Sequence, residues 1–437
     1  MKQIIKRYLL FCNVLLICMI YVSCSGDIEY KDLNKGKGSV SDVIIETTEN
    51  VMPVNDSSHK EEISNEFLQK FYDFTEQTSV DIFQQNIDEN QIYAPLNLYL
   101  SLSMLNELSV GEAREEIEEA LGISDAKDNA LELDTAIYAL EKRRLALGRL
   151  NINNSLWLSD ELSYQDDLLD MLQNQYKTEI YKGDLKSSIF QDKMTKWVYE
   201  NTNSEFQPDY HKSLDVTDPH AFISLNTLDF YNEWLNPFDE EDTRAESFFL
   251  SGNEEISCDF MKMEDLFHPF MIGEDYKTTI CILKENESML FILPEEGLLV
   301  EDFIEKRGKL SDIIYDWTNN KFSMGKVKLS VPKFAYENEI DLKVTTESMG
   351  IKRIFDINSK AFSGFADENI YITDIWQASK IEIDEKGCST SSYTEIRAQG
   401  SGVSKNEVEI YLNRPFIYIL YKDKVPFLIG VVRNPIG

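Results

Sequence analysis

The side chains that could do chemistry in this chain gather in one stretch. From Gly387 it runs Cys388-Ser389-Thr390-Ser391-Ser392-Tyr393-Thr394, then through Arg397 to Gly400-Ser401-Gly402-Val403-Ser404-Lys405. Hydroxyls and thiols become nucleophiles only when a nearby base takes the proton, and no base stands at a suitable spacing. The four histidines are His59, His211, His220 and His268, and none lies at a ligand spacing from another His or a Cys. Ser401 sits between glycines but outside a Gly-x-Ser-x-Gly elbow. The acidic run Asp239-Glu240-Glu241-Asp242 lacks the spacing of a calcium loop. The sequence therefore carries no catalytic set, no metal-binding motif and no cofactor motif.

The Ser/Thr-rich stretch has a pattern of period two, as a strand does. One face would carry Cys388, Thr390, Ser392, Thr394, Ile396 and Ala398, all uncharged and mostly small. The other would carry Ser389, Ser391, Tyr393, Glu395, Arg397 and Gln399, with every charge and the aromatic ring. Two readings follow, a flexible surface loop or a segment able to slide into an existing sheet. Before it, residues 381–384 alternate like a strand and turn at Glu385-Lys386-Gly387; after it, residues 408–411 form another strand pattern.

The rest of the chain must position this segment. Helical spacing marks residues 65–76, 96–108, 113–121, 160–176, 190–202 and 301–317. Strand patterns mark 150–158, 221–230, 246–249, 278–283, 288–294 and 326–334. No internal repeat is evident, and helices first with antiparallel strands later indicate an α+β class. With 437 residues, 43% hydrophobic, the chain can bury a large core. A net charge of −34 disfavours nucleic acid and heparin-like polyanions as partners.

The first 24 residues read as an export signal. Lys2, Lys6 and Arg7 precede an apolar run over residues 8–22 that ends in Ser23-Cys24. This resembles a bacterial lipoprotein signal with Cys24 as the lipidated residue; an uncleaved anchor helix is the alternative. Residues 25–60 read as a polar tether and 61–437 as one folded domain. The expectation is an exported, lipid-anchored or extracellular monomer that touches the membrane through its lipid alone. Beyond Cys24 only Cys258, Cys281 and Cys388 remain, so no disulfide framework is expected and Cys388 is expected to be a free thiol.

Several motifs, in order along the chain, resemble the serpins. They are Ile92-Tyr93-Ala94-Pro95-Leu96-Asn97-Leu98, Ser288-Met289-Leu290-Phe291-Ile292-Leu293-Pro294-Glu295-Glu296-Gly297, Val331-Pro332-Lys333-Phe334, Met349-Gly350-Ile351 and Asn413-Arg414-Pro415-Phe416. Residues 221–230 with Trp234, Pro237 and Phe238 are similar to the third strand of the family's large sheet, and Asn226 and Trp234 match its usual Asn and Trp. The resemblance implies a serpin fold, with helices around a large mixed sheet plus smaller sheets and an exposed reactive-centre loop at about 387–407. It implies no enzyme but a suicide inhibitor that covalently traps a serine or cysteine protease. The implied hinge is Glu385, Gly387, Cys388, Thr390, Ser392 and Thr394. The implied reactive bond is Ser401–Gly402, with Ser404–Lys405 as the alternative. Trp234, Asn226, Asn97 and Gln377 would lie where the sheet opens, although the family's usual Ser, Ser and His are here Ala94, Asn97 and Gln377. A non-inhibitory binding or carrier protein of the same fold is the other reading.

Overall fold

The computed structural model describes residues 60, 62–142, 148–213, 221–252, 254–306, 308–388 and 407–437. Helix α1 (Asn65–Gln85) opens the described fold, with Ser64 capping it by accepting from the Phe67 N–H. After β1 (Gln91–Tyr93) comes α2 (Pro95–Leu108), with proline in its first turn where no amide partner is needed. Almost every residue of α2 is buried, which makes it the central helix of the molecule. Next are α3 (Glu112–Leu121), α4 (Ala126–Glu141), β2 (Arg149–Ser159), α5 (Asp166–Gln175), β3 (Thr178–Gly183), α6 (Ser188–Asn201) and the short α7 (Tyr210–Ser213).

Strands dominate afterwards: β4 (Phe222–Glu233), β5 (Arg244–Phe249), β6 (Glu255–Ile272), β7 (Tyr276–Ile282) and β8 (Ser288–Pro294). Helices α8 (Val300–Ile304) and α9 (Lys309–Thr318) precede β9 (Ser323–Pro332), β10 (Phe334–Asp341) and α10 (Lys343–Ser348). The last strands are β11 (Trp376–Ile383), β12 (Gly387–Cys388), β13 (Glu407–Tyr411), β14 (Phe416–Lys422) and β15 (Val425–Val432).

Two sheets result. The nine-stranded one runs β1-β15-β14-β8-β7-β6-β9-β13, with β5 paired to β6; the six-stranded one runs β10-β11-β12-β4-β2-β3. Alternation along β4 and β2 gives the six-stranded sheet two apolar faces. Leu228, Phe230, Leu150, Ile152 and Leu156 join the main core with α2, β14 and β15. Ile223, Leu225 and Trp157 face the other way and pack with Phe190, Met194 and Trp197 of α6. A fully buried Leu or Phe contributes about 1.5–3 kcal/mol relative to exposure, so both faces fix the register of β4 firmly.

The expected α+β class holds, with helices around a large mixed sheet and a second sheet. Elements not anticipated include α4, whose buried side carries Asn129, Glu132 and Thr135, and β6, whose pairing with β9 shifts between Asp265 and His268 and breaks strict alternation, together with β3, β14 and β15. The helix expected over 301–317 is two, divided where Gly308 takes φ +81°. The strand expected over 326–334 ends at Pro332, and Phe334 begins a strand of the other sheet. The helix expected over 160–176 begins only at Asp166.

Candidate functional site

The site is built on the end of β11. Ser379, Ile381 and Ile383 point inward, and the residues between them are exposed. At Asp384 the chain reverses, because the Asp384 carboxylate accepts from the N–H groups of Lys386 (2.8 Å) and Gly387 (3.1 Å). The turn returns the chain as β12, which pairs with β11 through Ile383↔Cys388 and with β4 through Gly387↔Glu233 and Cys388↔Asn232. Only glycine fits at 387, where a Cβ would lie 2.4 Å from the Asn232 carbonyl oxygen and 2.5 Å from the Glu233 Cα. Cys388 is buried on the core face, where burial pushes its thiol well up from the ordinary range. Among the described residues β12 is the only link between β11 and β4.

Trp234 clasps this corner. Its ring is buried, its indole N–H donates to the Asp384 carbonyl (2.9 Å), and its main-chain N–H donates to the Lys386 carbonyl (2.9 Å). The Phe238 N–H binds the carbonyl of Glu385 (2.9 Å). The Glu385 side chain is buried too, with one oxygen on the Thr243 hydroxyl (2.8 Å) and the other on the Lys333 ammonium (2.9 Å). Burial alone would raise the Glu385 carboxyl. The bonds from Lys333, from its own N–H and from Thr243 outweigh burial and hold it below the usual carboxylate range. The bond to Glu385 in turn raises Lys333.

Further along the six-stranded sheet, a polar cluster interrupts the core. Asn226 donates to Asn154 (2.5 Å) and accepts from the Ser101 hydroxyl (2.9 Å), which also reaches the Asn97 carbonyl (2.8 Å). Gln377 exchanges two bonds with the main chain of Ala94 (2.6 and 3.2 Å), tying β11 to the start of α2. The side-chain oxygen of Asn97 is buried with no hydrogen-bond partner among the described residues. The expected group of Asn226, Asn97 and Gln377 is therefore two separate arrangements, bridged by α2.

Ser101, Asn154 and Thr243 were not singled out from the sequence, and Lys333 entered only as part of the 331–334 motif. Asn154 was detectable as the one polar residue in the inward series Leu150, Ile152, Leu156, Leu158. Ser101 lies one helical turn beyond Asn97.

Past the loop, β13 lies parallel to β9 in the other sheet, with Glu407 between Lys328 (2.8 Å) and Lys326 (3.4 Å). The Arg414 guanidinium donates to the Pro294 carbonyl, and the Phe249 N–H donates to the Asn413 carbonyl (2.8 Å). The loop segment thus leaves one sheet at Cys388 and joins the other at Glu407. The expected sites Cys24, Thr390, Ser392, Thr394, Ser401, Gly402, Ser404 and Lys405 lie outside the described residues, as does the tether except for Lys60. That lysine pairs with Asp128 and Glu132 of α4, at 2.7 Å each.

His211 is exposed beside Asp192 (2.8 Å). His268 is buried and bonded to the Ile280 carbonyl, and burial depresses its protonation. Among the described residues no His, Cys, Asp and Glu cluster has metal-binding geometry, and Cys258, Cys281 and Cys388 are all buried free thiols. No described helix is long and apolar enough to cross a membrane.

Comparison with known proteins agrees with this geometry. A serpin-like protein of Methanosarcina acetivorans is 25% identical over 373 residues, covering 80% of this chain and 82% of its own. Serpin B5 of Mus musculus is 25% identical over 361 residues, covering 79% and 94%. The native-state structure of the thermophilic serpin tengpin superposes with a TM-score of 0.74 at 25% identity, over 86% of this chain and 96% of tengpin. Human thyroxine-binding globulin shares the fold, with a TM-score of 0.72 at 21% identity over 85% and 100%. The family model for serpin (serine protease inhibitor) matches residues 70–435, and the chain belongs to the serpin family.

Proposed function

We propose that this serpin is a suicide inhibitor of a serine or cysteine protease, working from the loop between Cys388 and Glu407. The observation that carries the reading is the position of Gly387 and Cys388, paired with β11 on one side and β4 on the other. A strand that follows them needs no new opening to begin adding to the sheet. In the reaction, the protease nucleophile attacks the Ser401 carbonyl carbon. The Ser401–Gly402 bond breaks, the Gly402 amine leaves with a proton, and Ser401 stays esterified or thioesterified to the enzyme. The freed segment then enters between β4 and β11 and carries the acyl-enzyme with it.

Register supports the period-two face. Continuing Cys388↔Asn232 and Ile383↔Cys388 two residues at a time brings Thr390 opposite Phe230 and Ile381. Thr394 then arrives opposite Asn226 and Gln377, where a small hydroxyl can bond to amides that an apolar side chain would strand. Strand addition makes new main-chain bonds, so the intact state persists through a kinetic barrier. By this reading the protein acts as an exported monomer, anchored through lipid on Cys24.

Incubation with a panel of serine and cysteine proteases, followed by denaturing electrophoresis, tests the proposal. A complex that survives denaturation supports trapping. Cleavage of the loop with no such complex under any protease favours the non-inhibitory carrier reading.

A further inference from the structure

Beneath the hinge lies a buried charge cluster that the trapping reaction as described does not use. Asn232, the partner of Cys388 in the ladder, is fully buried at the end of β4. Its side-chain N–H donors reach the Glu287 carboxylate and the Lys284 carbonyl, and its side-chain oxygen accepts from the Glu233 N–H (2.8 Å). The other Glu287 oxygen binds the Lys422 ammonium at 3.2 Å, and the two side chains are 0% and 2% exposed. Lys422 also donates to the carbonyls of Leu140 (2.8 Å) and Lys142 (3.1 Å) at the C-terminal end of α4. A second ion pair, Lys284–Glu233, sits on the next residue of β4. The turn that supplies Lys284 and Glu287 is itself fixed, with Glu285 and Asn286 at positive φ and the Leu283 N–H on the Glu287 carbonyl (2.8 Å).

A buried ion pair is a poor source of stability, because desolvation consumes most of the attraction, and in some proteins such pairs serve to fix one geometry. Here the fixed geometry is the end of β4 against which Gly387 packs. The Gly387 clearance to the Asn232 carbonyl and the Glu233 Cα leaves no room for drift.

We propose that Asn232, Glu287 and Lys422 are positioning residues for loop insertion, holding the end of β4 where the hinge must dock and coupling that step to the end of α4. The proposal rests on the inhibitor reading above, since it concerns how fast the cut loop enters the sheet.

The test uses the full-length protein, cut in the loop by a subtilisin-type protease. The gain in resistance to guanidinium unfolding is followed in time after the cut. Two variants are compared with wild type: Asn232→Gly, and the paired replacement Glu287→Leu with Lys422→Met. The pair exchanges the ions for apolar side chains of similar volume and keeps the fold testable if Asn232→Gly does not accumulate. Both are expected to be cut at the wild-type rate yet to gain resistance about tenfold more slowly, as for loss of one hydrogen bond to a charged group. A merely structural role would lower the stability of intact and cut forms alike and leave the rate of gain unchanged, which would overturn the positioning role alone. Wild-type protein that gains no resistance on cutting would overturn the inhibitor reading and the positioning role together.

Discussion

Replacing Gly387 with alanine should convert the inhibitor toward a substrate. The added Cβ would sit 2.4 Å from the Asn232 oxygen, 2.5 Å from the Glu233 Cα and 3.1 Å from the Trp234 nitrogen. All three are main-chain atoms, so no side-chain rotation relieves the contact. An ordinary carbon–oxygen contact is about 3.3 Å, so β12 must retreat by about an ångström from β4. Overpacking of this kind costs about 1–3 kcal/mol. Charged to the docking of the hinge, that slows insertion by about 5- to 150-fold. Insertion competes with hydrolysis of the acyl-enzyme, so more inhibitor is cut and released for each protease trapped. The assay is a titration of protease activity that counts inhibitor consumed per enzyme lost, alongside the rate of loop cleavage. Cleavage should be unchanged and consumption should rise at least several-fold. Lys386→Ala, one residue away and largely exposed, is the control and should leave both values alone. Equal consumption by Gly387→Ala and wild type would refute the docking argument.

Three further outcomes follow from the same geometry. Lys333→Met should destabilise the intact protein by about 1–2 kcal/mol, less than for a fully buried pair because Lys333 is 37% exposed. In wild type the depressed Glu385 carboxyl contributes stability above its unfolded value of about 4.3, lost only as acid passes its folded value; Lys333→Met removes one of the bonds that hold it down, so the stability gap between wild type and variant should narrow in chemical denaturation as acid protonates Glu385. Thr390→Arg should be cut but not trap, since its charge would have to enter the core face, whereas Ser391→Arg should trap normally; equal behaviour of the two would refute the period-two face. Cys24→Ala should release the protein from the membrane fraction, and retention there would refute the lipid anchor.

The fold was legible where pattern and packing agree. The end of β11 could be read because alternate residues are buried, and β4 and the Ser288–Pro294 strand because apolar residues run along both of their faces. Helix α4 was hidden because Asn129, Glu132 and Thr135 occupy its buried side and find partners in Ser103 and Lys60. The hinge corner was half legible. Gly387 marked a turn, and Trp234 matched a position of the family's large sheet. The Lys333–Glu385 pair joins residues 52 apart, and the Lys422–Glu287 pair residues 135 apart. Charge pairs of that kind leave no local period to read. The polar cluster around Asn226 was anticipated in kind, but its partners Ser101 and Asn154 come from the register of β2 with β4 and the facing of α2.

The central claim is that the cut loop becomes a strand between β4 and β11, and a cross-link tests it most directly. Gln377→Cys and Thr394→Cys, paired in a Cys388→Ser background, would stand opposite each other after insertion, at the 4.5–5.5 Å Cα separation a disulfide spans. The account predicts rapid disulfide formation once the loop is cut near Ser401 and none in intact protein. A cut protein that fails to cross-link, or an intact protein that does so equally well, would contradict it.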